Sequence, residues 1–454
     1  MDYISINPAT GETLKRYTTW TEDELEQAMR QTAEAAPAWQ STRVGERCER
    51  LKAIAAELRN GLDAYASKIT LEMGKPIQEA RAEIEKCAWV SEYFAENAER
   101  FLRDEPAETD ASRSYVTFQP LGTILGIMPW NFPFWQVFRS GIPALAAGNC
   151  VLLKHAWNVP QCAEAVEELF RRSDFPAGVF QWLRISHAQS EKLIDDARIH
   201  AISLTGSERA GKRIASLAGA SIKKTVLELG GSDPFVVLAD ADLELAATTA
   251  LTARFQNCGQ SCVAAKRFIL VDAIADEFLE LFKHKVQSLT VGDPSWEETR
   301  IGPMARSDLR DSLHRLVAES IRQGAVPVLG CKPVEGPGYF YEPSILDQVT
   351  PGMPAYEEEL FGPVAVVVRV RDEQEALTMA NRHRYGLGAS VWTRDPRKGE
   401  DFARRFQCGA AFVNGLVKSD PRVPIGGVKN SGYGRELSIY GLREFVNIKT
   451  VWIG

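Results

Sequence analysis

Apolar and polar residues follow two different patterns along the 454-residue chain. In the first hundred residues apolar positions recur at helical spacing, as at Leu51, Ile54 and Leu58, which predicts a mainly helical region. Thr21 followed by Glu24 has the spacing of a capping box and predicts the start of a helix. We interpret the polar stretch from 103 to 114 as a turn-rich linker or an exposed hairpin.

Beyond residue 120 the pattern changes to short apolar runs separated by helix-like segments. The runs form two series, which begin at "TILGIM" and at "PFVVL". Strands that alternate with helices predict βαβ units on parallel sheets, so the predicted fold class is α/β. Two series of this kind predict two α/β domains that meet near residue 230.

Composition and charge argue against several classes of function. The chain has 53 Lys and Arg against 60 Asp and Glu, a formal net charge of −7, which argues against nucleic acid as a partner. An anionic substrate would therefore need a local cation. Six histidines and eight cysteines show no metal-ligand spacing, so no metal site is predicted.

The stretch from Ser114 to Phe138 carries no formal charge and is long enough to suggest a membrane span. Pro120, Pro129 and Pro133 interrupt it, so we interpret it as a buried strand with a tight turn and predict no membrane association. The start of the chain lacks the pattern of a secretory signal, and the scattered cysteines fit a reducing compartment. We therefore expect a cytoplasmic protein.

Two features are compatible with a nucleotide site, although the usual G-x-G-x-x-G pattern is absent. Gly206 and Ser207 stand where an apolar run passes into a predicted helix, so they either hold a phosphate or simply cap that helix. Lys154 ends another apolar run, where it either reaches a ribose or phosphate oxygen or is solvated.

Four further residues are candidates for chemistry. Glu228 lies between two leucines, where burial raises the pKa of a carboxyl group toward that of a general base, unless a cation pairs with it. Asn131 lies in a Pro-flanked turn and either donates to an oxyanion or closes the turn. Cys258 and Cys262 flank a polar turn, where a thiol can be exposed and activated.

Six segments together resemble the aldehyde dehydrogenase superfamily. "PWNFP", "LTGSERAG", "LELGG", "GQSC", "EEELFGPV" and "PIGGVKNSGYGRE" occur in the order and at the approximate spacing seen there, and the resemblance covers essentially the whole chain. It implies NAD(P)-dependent oxidation of an aldehyde to a carboxylic acid through a cysteine thiohemiacetal and thioester.

The resemblance also implies a role for each candidate. Cys262 resembles the nucleophile, so Cys258 would have no chemical role. Asn131 would hold the oxyanion with the backbone N–H of Cys262, and Glu228 would activate the hydrolytic water, which argues against the CoA-acylating branch. The expected cofactor contacts are Trp130, Asn131, Lys154, Trp157, Gly206, Ser207, Leu229, Glu359 and Phe361.

The implied fold has three parts. Residues 1–103 and 121–230 would form a Rossmann-like dinucleotide-binding domain, and residues 231–436 an α/β catalytic domain. Residues 104–120 and 437–454 would form a small β oligomerisation element. Strand pairing between subunits would then give a homodimer or homotetramer.

The cofactor prediction rests on one position. NAD-preferring members have a glutamate three residues after the lysine, and Trp157 stands there in this chain. Without that carboxylate a 2′-phosphate is not repelled and Lys154 can pair with it, so we predict NADP, with NAD as the alternative. The tryptophan could crowd the phosphate or stack on the adenine.

The substrate pocket resembles that of the succinate-semialdehyde dehydrogenase branch. Arg139 and Ser419 match residues that hold the distal carboxylate of the substrate, and Trp135 would wall a short pocket. A second pocket arginine of some members is replaced by Gln256.

Alternatives to this assignment stay open. Arg139 could instead lie at a subunit interface. Other functions are a broad-specificity aldehyde dehydrogenase for glutarate semialdehyde or neutral aliphatic aldehydes, and a non-catalytic structural relative.

Overall fold

The structure, a computed structural model, describes residues 2–454. Its N-terminal part is mainly helical, as the apolar periodicity predicts, and the capping box of Thr21 and Glu24 starts the first long helix. The elements in chain order are β1 (Tyr3–Ile6), β2 (Thr13–Tyr17), α1 (Glu22–Ser41), α2 (Val44–Asn60), α3 (Leu62–Met73), α4 (Ile77–Phe101), β3 (Glu105–Pro106) and β4 (Arg113–Pro120).

A first parallel sheet follows, with helices between its strands. Its elements are β5 (Thr123–Met128), α5 (Trp135–Ala146), β6 (Cys150–His155), α6 (Pro160–Arg172), β7 (Phe180–Trp182), α7 (His187–Asp195), β8 (Ala201–Thr205), α8 (Glu208–Ala220) and β9 (Lys224–Glu228). The strand order β9-β8-β5-β6-β7 is that of a Rossmann-like unit, in which ligands bind at the carboxyl ends of the strands.

A second sheet has its own apolar core. The elements of this part of the chain are β10 (Asp233–Val237), α9 (Leu243–Phe255), β11 (Ala265–Val271), α10 (Asp272–Gln287), α11 (Ser307–Arg322), β12 (Val326–Leu329), β13 (Ser344–Asp347), α12 (Pro354–Glu357), β14 (Val364–Val370), α13 (Glu373–Asn381), β15 (Tyr385–Gly386), β16 (Gly388–Trp392), α14 (Pro396–Arg405) and β17 (Ala410–Val413). Of these strands, β15 lies outside the second sheet. The order is β12-β13-β14-β11-β10-β16-β17, and only the β12–β13 pair is antiparallel. The predicted α/β class is confirmed.

The C-terminal segment contacts both earlier parts of the chain. It contains β18 (Val428–Lys429), β19 (Gly432–Tyr433), α15 (Ser438–Arg443) and β20 (Val446–Ile453). β19 lies within the segment predicted for the catalytic domain, yet it joins the first sheet, where Gly432 pairs with Glu228. β20 pairs with β4 along its whole length, so the two segments predicted as the oligomerisation element form one sheet.

The uncharged stretch suspected as a membrane span contains most of β4, all of β5 and the first turn of α5. Among residues 2–454, no helix has the length and apolar character that crossing a bilayer requires.

Candidate active site

The turn before Cys262 has an unusual backbone. Asn257 and Cys258 have φ values of 57° and 53°, in the left-handed region that costs a non-glycine residue about 1 kcal/mol. Hydrogen bonds offset that cost: the Asn257 side chain donates to the carbonyls of Asn131 (2.8 Å) and Gln260 (3.0 Å), and its backbone N–H donates to Glu79 (2.6 Å). These hydrogen bonds therefore hold the turn against the first α/β unit.

The glycine of "GQSC" is required because the backbone of another loop lies too close for a side chain. Gly259 has φ of 69°, and a Cβ there would lie 2.3 Å from the carbonyl oxygen of Gly362. The buried guanidinium of Arg254 donates to the carbonyls of Gly259 and Leu360, both at 3.1 Å, and to that of Gly362. The thiol-bearing turn and the "LFG" loop are thus held together.

The two cysteines of the turn differ in access. Cys258 is 1% exposed and packs in the core of the second α/β unit, whereas Cys262 is partly exposed and lines a cavity. Burial raises the pKa of Cys262 to about 11, although the cations of Arg139 and Lys266 lower it. Cys262 is therefore the thiol that a ligand can reach.

Lys266, which the sequence analysis missed, holds the nucleophile loop. Its ammonium donates to the carbonyls of Ser261 and Cys262, both at 2.8 Å, and lies 3.1 Å from the Glu359 carboxylate. Lys266 is the second residue of the buried strand β11, and an almost fully buried lysine is rare. A lysine inside this apolar run is the only sequence signal that could have drawn attention to it.

Replacing Lys266 by methionine should slow the alkylation of Cys262 by iodoacetamide and move its pH midpoint upward. The reason is that the lost cation lowers the pKa of this thiol. Mass spectrometry of the Cys262 peptide across a pH series measures this, and Lys266→Arg, which keeps the charge, serves as the control. An unchanged midpoint in Lys266→Met would contradict the electrostatic role.

Asn131 is buried beside Cys262 in the turn that follows β5. Its Nδ2 donates to the carbonyl of Gln260 (3.1 Å), which fixes the amide, and both Asn131 and Cys262 line the cavity. A fixed amide has a second N–H available, as stabilisation of an oxyanion at the thiol requires.

Glu228, at the end of β9, is 2% exposed. Within the described residues its Oε1 has no hydrogen-bond partner, and a Cβ on Gly426 would lie 2.9 Å from it. Burial raises the pKa of Glu228 to about 8. The Arg139 cation lowers this pKa, and the Glu436 carboxylate raises it. This carboxyl group takes up and releases a proton near neutral pH, as a general base does.

Arg139 is buried between carboxylates. It forms an ion pair with Glu436, and its guanidinium lies 3.3 Å from the Thr205 hydroxyl. The same cation lowers the pKa values of Glu228 and Cys262. The predicted contact of Arg139 with substrate stays a prediction, since Glu436 already supplies a counter-charge.

The cavity beside Cys262 has a volume of about 250 Å³ and lies at the carboxyl ends of the first sheet. Seven of the nine predicted cofactor contacts line it: Trp130, Asn131, Gly206, Ser207, Leu229, Glu359 and Phe361. Sequence reasoning missed Pro129, Gln136, Thr205, Gly230 and Leu309, which also line it. Leu309 comes from α11 and belongs to none of the segments that carry the resemblance.

Each end of the cavity has a distinct chemistry. At one end Ser207 caps α8, accepting from the N–H of Ala210 at 3.3 Å, and its contact with a phosphate stays a prediction. The same helix N-terminus presents partial positive charge to the cavity. At the other end the rings of Trp130 and Phe361 meet edge to face, with centroids 5.7 Å apart.

Lys154 and Trp157 are not among the residues that line this cavity. Lys154 is 5% exposed at the end of β6, and burial lowers its pKa to about 8. The Trp157 ring lies against Arg306, at 5.3 Å, in a neighbouring cleft that also contains Tyr339.

The other two predicted substrate residues lie on either side of a lysine that the sequence analysis missed. Lys86 of α4 donates to the Ser419 hydroxyl (2.8 Å), and its ammonium lies 4.3 Å from the centre of the Trp135 ring. Lys86 carries no recognisable motif; only the fold brings it to this position.

The chain is similar to known proteins over essentially its whole length. A family model described as "Aldehyde dehydrogenase family" matches residues 2–451. The Escherichia coli succinate semialdehyde dehydrogenase [NAD(P)+] Sad is 47% identical over 99% of this chain and 97% of its own length. A probable succinate-semialdehyde dehydrogenase [NADP(+)] from Synechocystis is 48% identical over the whole of both chains. The succinic semialdehyde dehydrogenase of Streptococcus pyogenes, solved with NADP+, superposes with a TM-score of 0.97 at 36% identity over 99% of each chain.

Proposed function

The chain belongs to the aldehyde dehydrogenase family, and from that premise we propose that it oxidises succinic semialdehyde to succinate with NADP as the preferred cofactor. The observation that carries the proposal is the placement of Cys262 and Asn131 in one cavity with the N-terminus of α8. The similar proteins named above support the substrate and the cofactor, because all three are named as succinate-semialdehyde dehydrogenases.

The residues of the cavity fit a dinucleotide. Gly206 and Ser207 would hold phosphate at the N-terminus of α8, and Glu359 with Phe361 would hold the nicotinamide end. When bound, the nicotinamide supplies a hydride acceptor.

Lys154 supports NADP over NAD. No carboxylate among residues 2–454 forms an ion pair with it, and Trp157 replaces the glutamate that would repel a 2′-phosphate. Lys154 is not part of the lining of the cavity beside Cys262, so we propose that the 2′-phosphate lies beyond that lining, where a cation without a protein counter-ion can pair with it. NAD is the alternative cofactor.

Cys262 performs the first chemical step in this proposal. Burial keeps the Cys262 thiol protonated at neutral pH, so it first releases its proton to solvent, and the thiolate then adds to the aldehyde carbon. The Asn131 amide and the Cys262 backbone N–H stabilise the oxyanion. Loss of hydride from this adduct leaves a thioester on Cys262.

Glu228 performs the second step. As a carboxylate it accepts a proton from water, which attacks the thioester carbon and releases the carboxylic acid and the free thiol. The Glu228 side chain is directed toward Arg139 and Gly426 and is not part of the cavity lining, so it must rotate before it contacts that water.

The assay for this proposal follows absorbance of the reduced nicotinamide. Succinic semialdehyde, glutarate semialdehyde and butanal are each tested with NADP and with NAD. Among these combinations we expect the highest kcat/KM for succinic semialdehyde with NADP. Equal values for butanal would support a broad-specificity enzyme instead, and no turnover with any aldehyde would support a non-catalytic relative.

We also propose that the enzyme is a cytoplasmic homodimer or homotetramer. All eight cysteines are unpaired, as in reducing compartments. β20 forms the outer edge of its sheet and exposes Ile448, Trp452 and Ile453, a surface that a second subunit would cover. Light scattering should show a species of two or four chains, and replacing Ile448 and Trp452 by lysine should reduce it toward one chain; a monomeric wild-type protein would contradict this.

A further inference from the structure

We infer that Lys86, together with the Ser419 hydroxyl, binds the distal carboxylate of the substrate directly. The inference rests on the proposed function, and it identifies Lys86 as the cation that selects an aldehyde with a distal carboxylate. Lys86 lies on α4, and its ammonium is within hydrogen-bond distance of Ser419 and beside the face of Trp135. Ammonium and hydroxyl donors side by side are a suitable pair for one carboxylate.

Lys86 has no carboxylate partner of its own. Across residues 2–454, no ion pair includes it. The nearby acidic groups are bound elsewhere: Glu83 pairs with Lys75, and Asp420 pairs with Arg422 at 2.6 Å. A partly buried cation that is held only by a hydroxyl gains most from an incoming anion.

Arg139 is in the opposite position. Its guanidinium already pairs with Glu436, and the charge of a second carboxylate, Glu228, also acts on it. A substrate carboxylate at Arg139 would have to compete with Glu436, whereas at Lys86 it displaces no protein anion. We therefore infer that Arg139 interacts with the buried carboxylates of Glu436 and Glu228 and not with the carboxylate of the substrate.

The charges around Lys86 set its pH dependence. Burial and the Arg139 cation on α5 lower the pKa of Lys86 to about 8, against weaker opposing effects of Cys87 and Glu83 on its own helix and of Asp420 on the late loop. A bound carboxylate favours the protonated amine. The KM for succinic semialdehyde should therefore rise as the pH passes above about 8, while the KM for butanal should not.

The test is the effect of Lys86→Met on steady-state kinetics with both aldehydes. We expect the KM for succinic semialdehyde to rise about ten- to a hundredfold, with kcat within a few-fold and kcat/KM for butanal unchanged. Lys86→Arg should restore most of the affinity and remove the rise in KM above pH 8. Lys418→Met, which removes an exposed positive charge next to Ser419, is the matched control and should behave as the wild type.

An unchanged KM for succinic semialdehyde in Lys86→Met, or equal losses for both aldehydes, would overturn the inference and return the carboxylate to Arg139. If Lys86→Met does not fold, the wild-type KM profile across pH 8 decides, because a flat profile also overturns it. Succinate inhibition of butanal oxidation separates this from the proposed function. If the wild type does not prefer succinic semialdehyde, the proposed function fails, while loss of succinate inhibition in Lys86→Met and its retention in Lys86→Arg still test Lys86.

Discussion

Serine in place of Cys262 should reduce aldehyde oxidation by about a thousandfold or more, because a hydroxyl in this position is a far weaker nucleophile than a thiolate. The cavity that we assign to the dinucleotide is left intact, so binding of NADPH, followed by its fluorescence, should change little. The loss would therefore be one of chemistry and not of folding.

Cys258→Ser is the matched control for that experiment. Cys258 is in the same turn but lies in the core of the second α/β unit, so its replacement costs on the order of 1 kcal/mol of stability and leaves kcat within a few-fold. Full turnover in Cys262→Ser, or equal losses in the two variants, would show that the wrong sulfur has been assigned.

Glutamine in place of Glu228 should separate the two chemical steps. The amide has the shape of the carboxyl group but cannot accept a proton, so the thioester should form and then persist. We expect a rapid burst of reduced cofactor of about one equivalent per active site, followed by turnover slowed about a hundred- to ten-thousandfold. Stopped-flow absorbance measures the burst, and mass spectrometry locates the acyl group on the Cys262 peptide.

The wild-type pH profile gives the complementary result. Since burial raises the pKa of Glu228 to about 8, the group is neutral below that pH and cannot act as a base, so kcat should rise as the pH increases through about 8. The Glu436 carboxylate contributes to this value, because its negative charge raises the pKa of Glu228. Glu228→Gln should lose this dependence, and a burst with an unchanged steady state would contradict the assignment.

The sequence predicted those parts of the site that short segments determine. "GQSC" and "LELGG" pointed to Cys262 and Glu228 through their resemblance to segments of the aldehyde dehydrogenase superfamily, and the alternation of strands and helices gave the class of fold. Cys262 and Asn131, to which the resemblance assigns the nucleophile and the oxyanion donor, line one cavity, and their roles stay predictions.

The rest depends on contacts between distant parts of the chain. Arg139 pairs with Glu436, and Lys86 meets Ser419, only after the C-terminal segment has packed against the first α/β unit. A single sequence shows each of these residues as an ordinary charged or polar side chain. Their effect on the pKa of Glu228 or on the binding of an anion appears only when the partner is known.

The hydrogen bond from Asn257 to the Asn131 carbonyl joins the loop of the thiol to the loop of the amide, and these loops come from different halves of the molecule. Heat that separates the two halves therefore also separates the loop of the thiol from the loop of the amide. Inactivation and the first loss of tertiary structure should occur at one temperature, and thermal damage should leave few molecules that are folded but inactive.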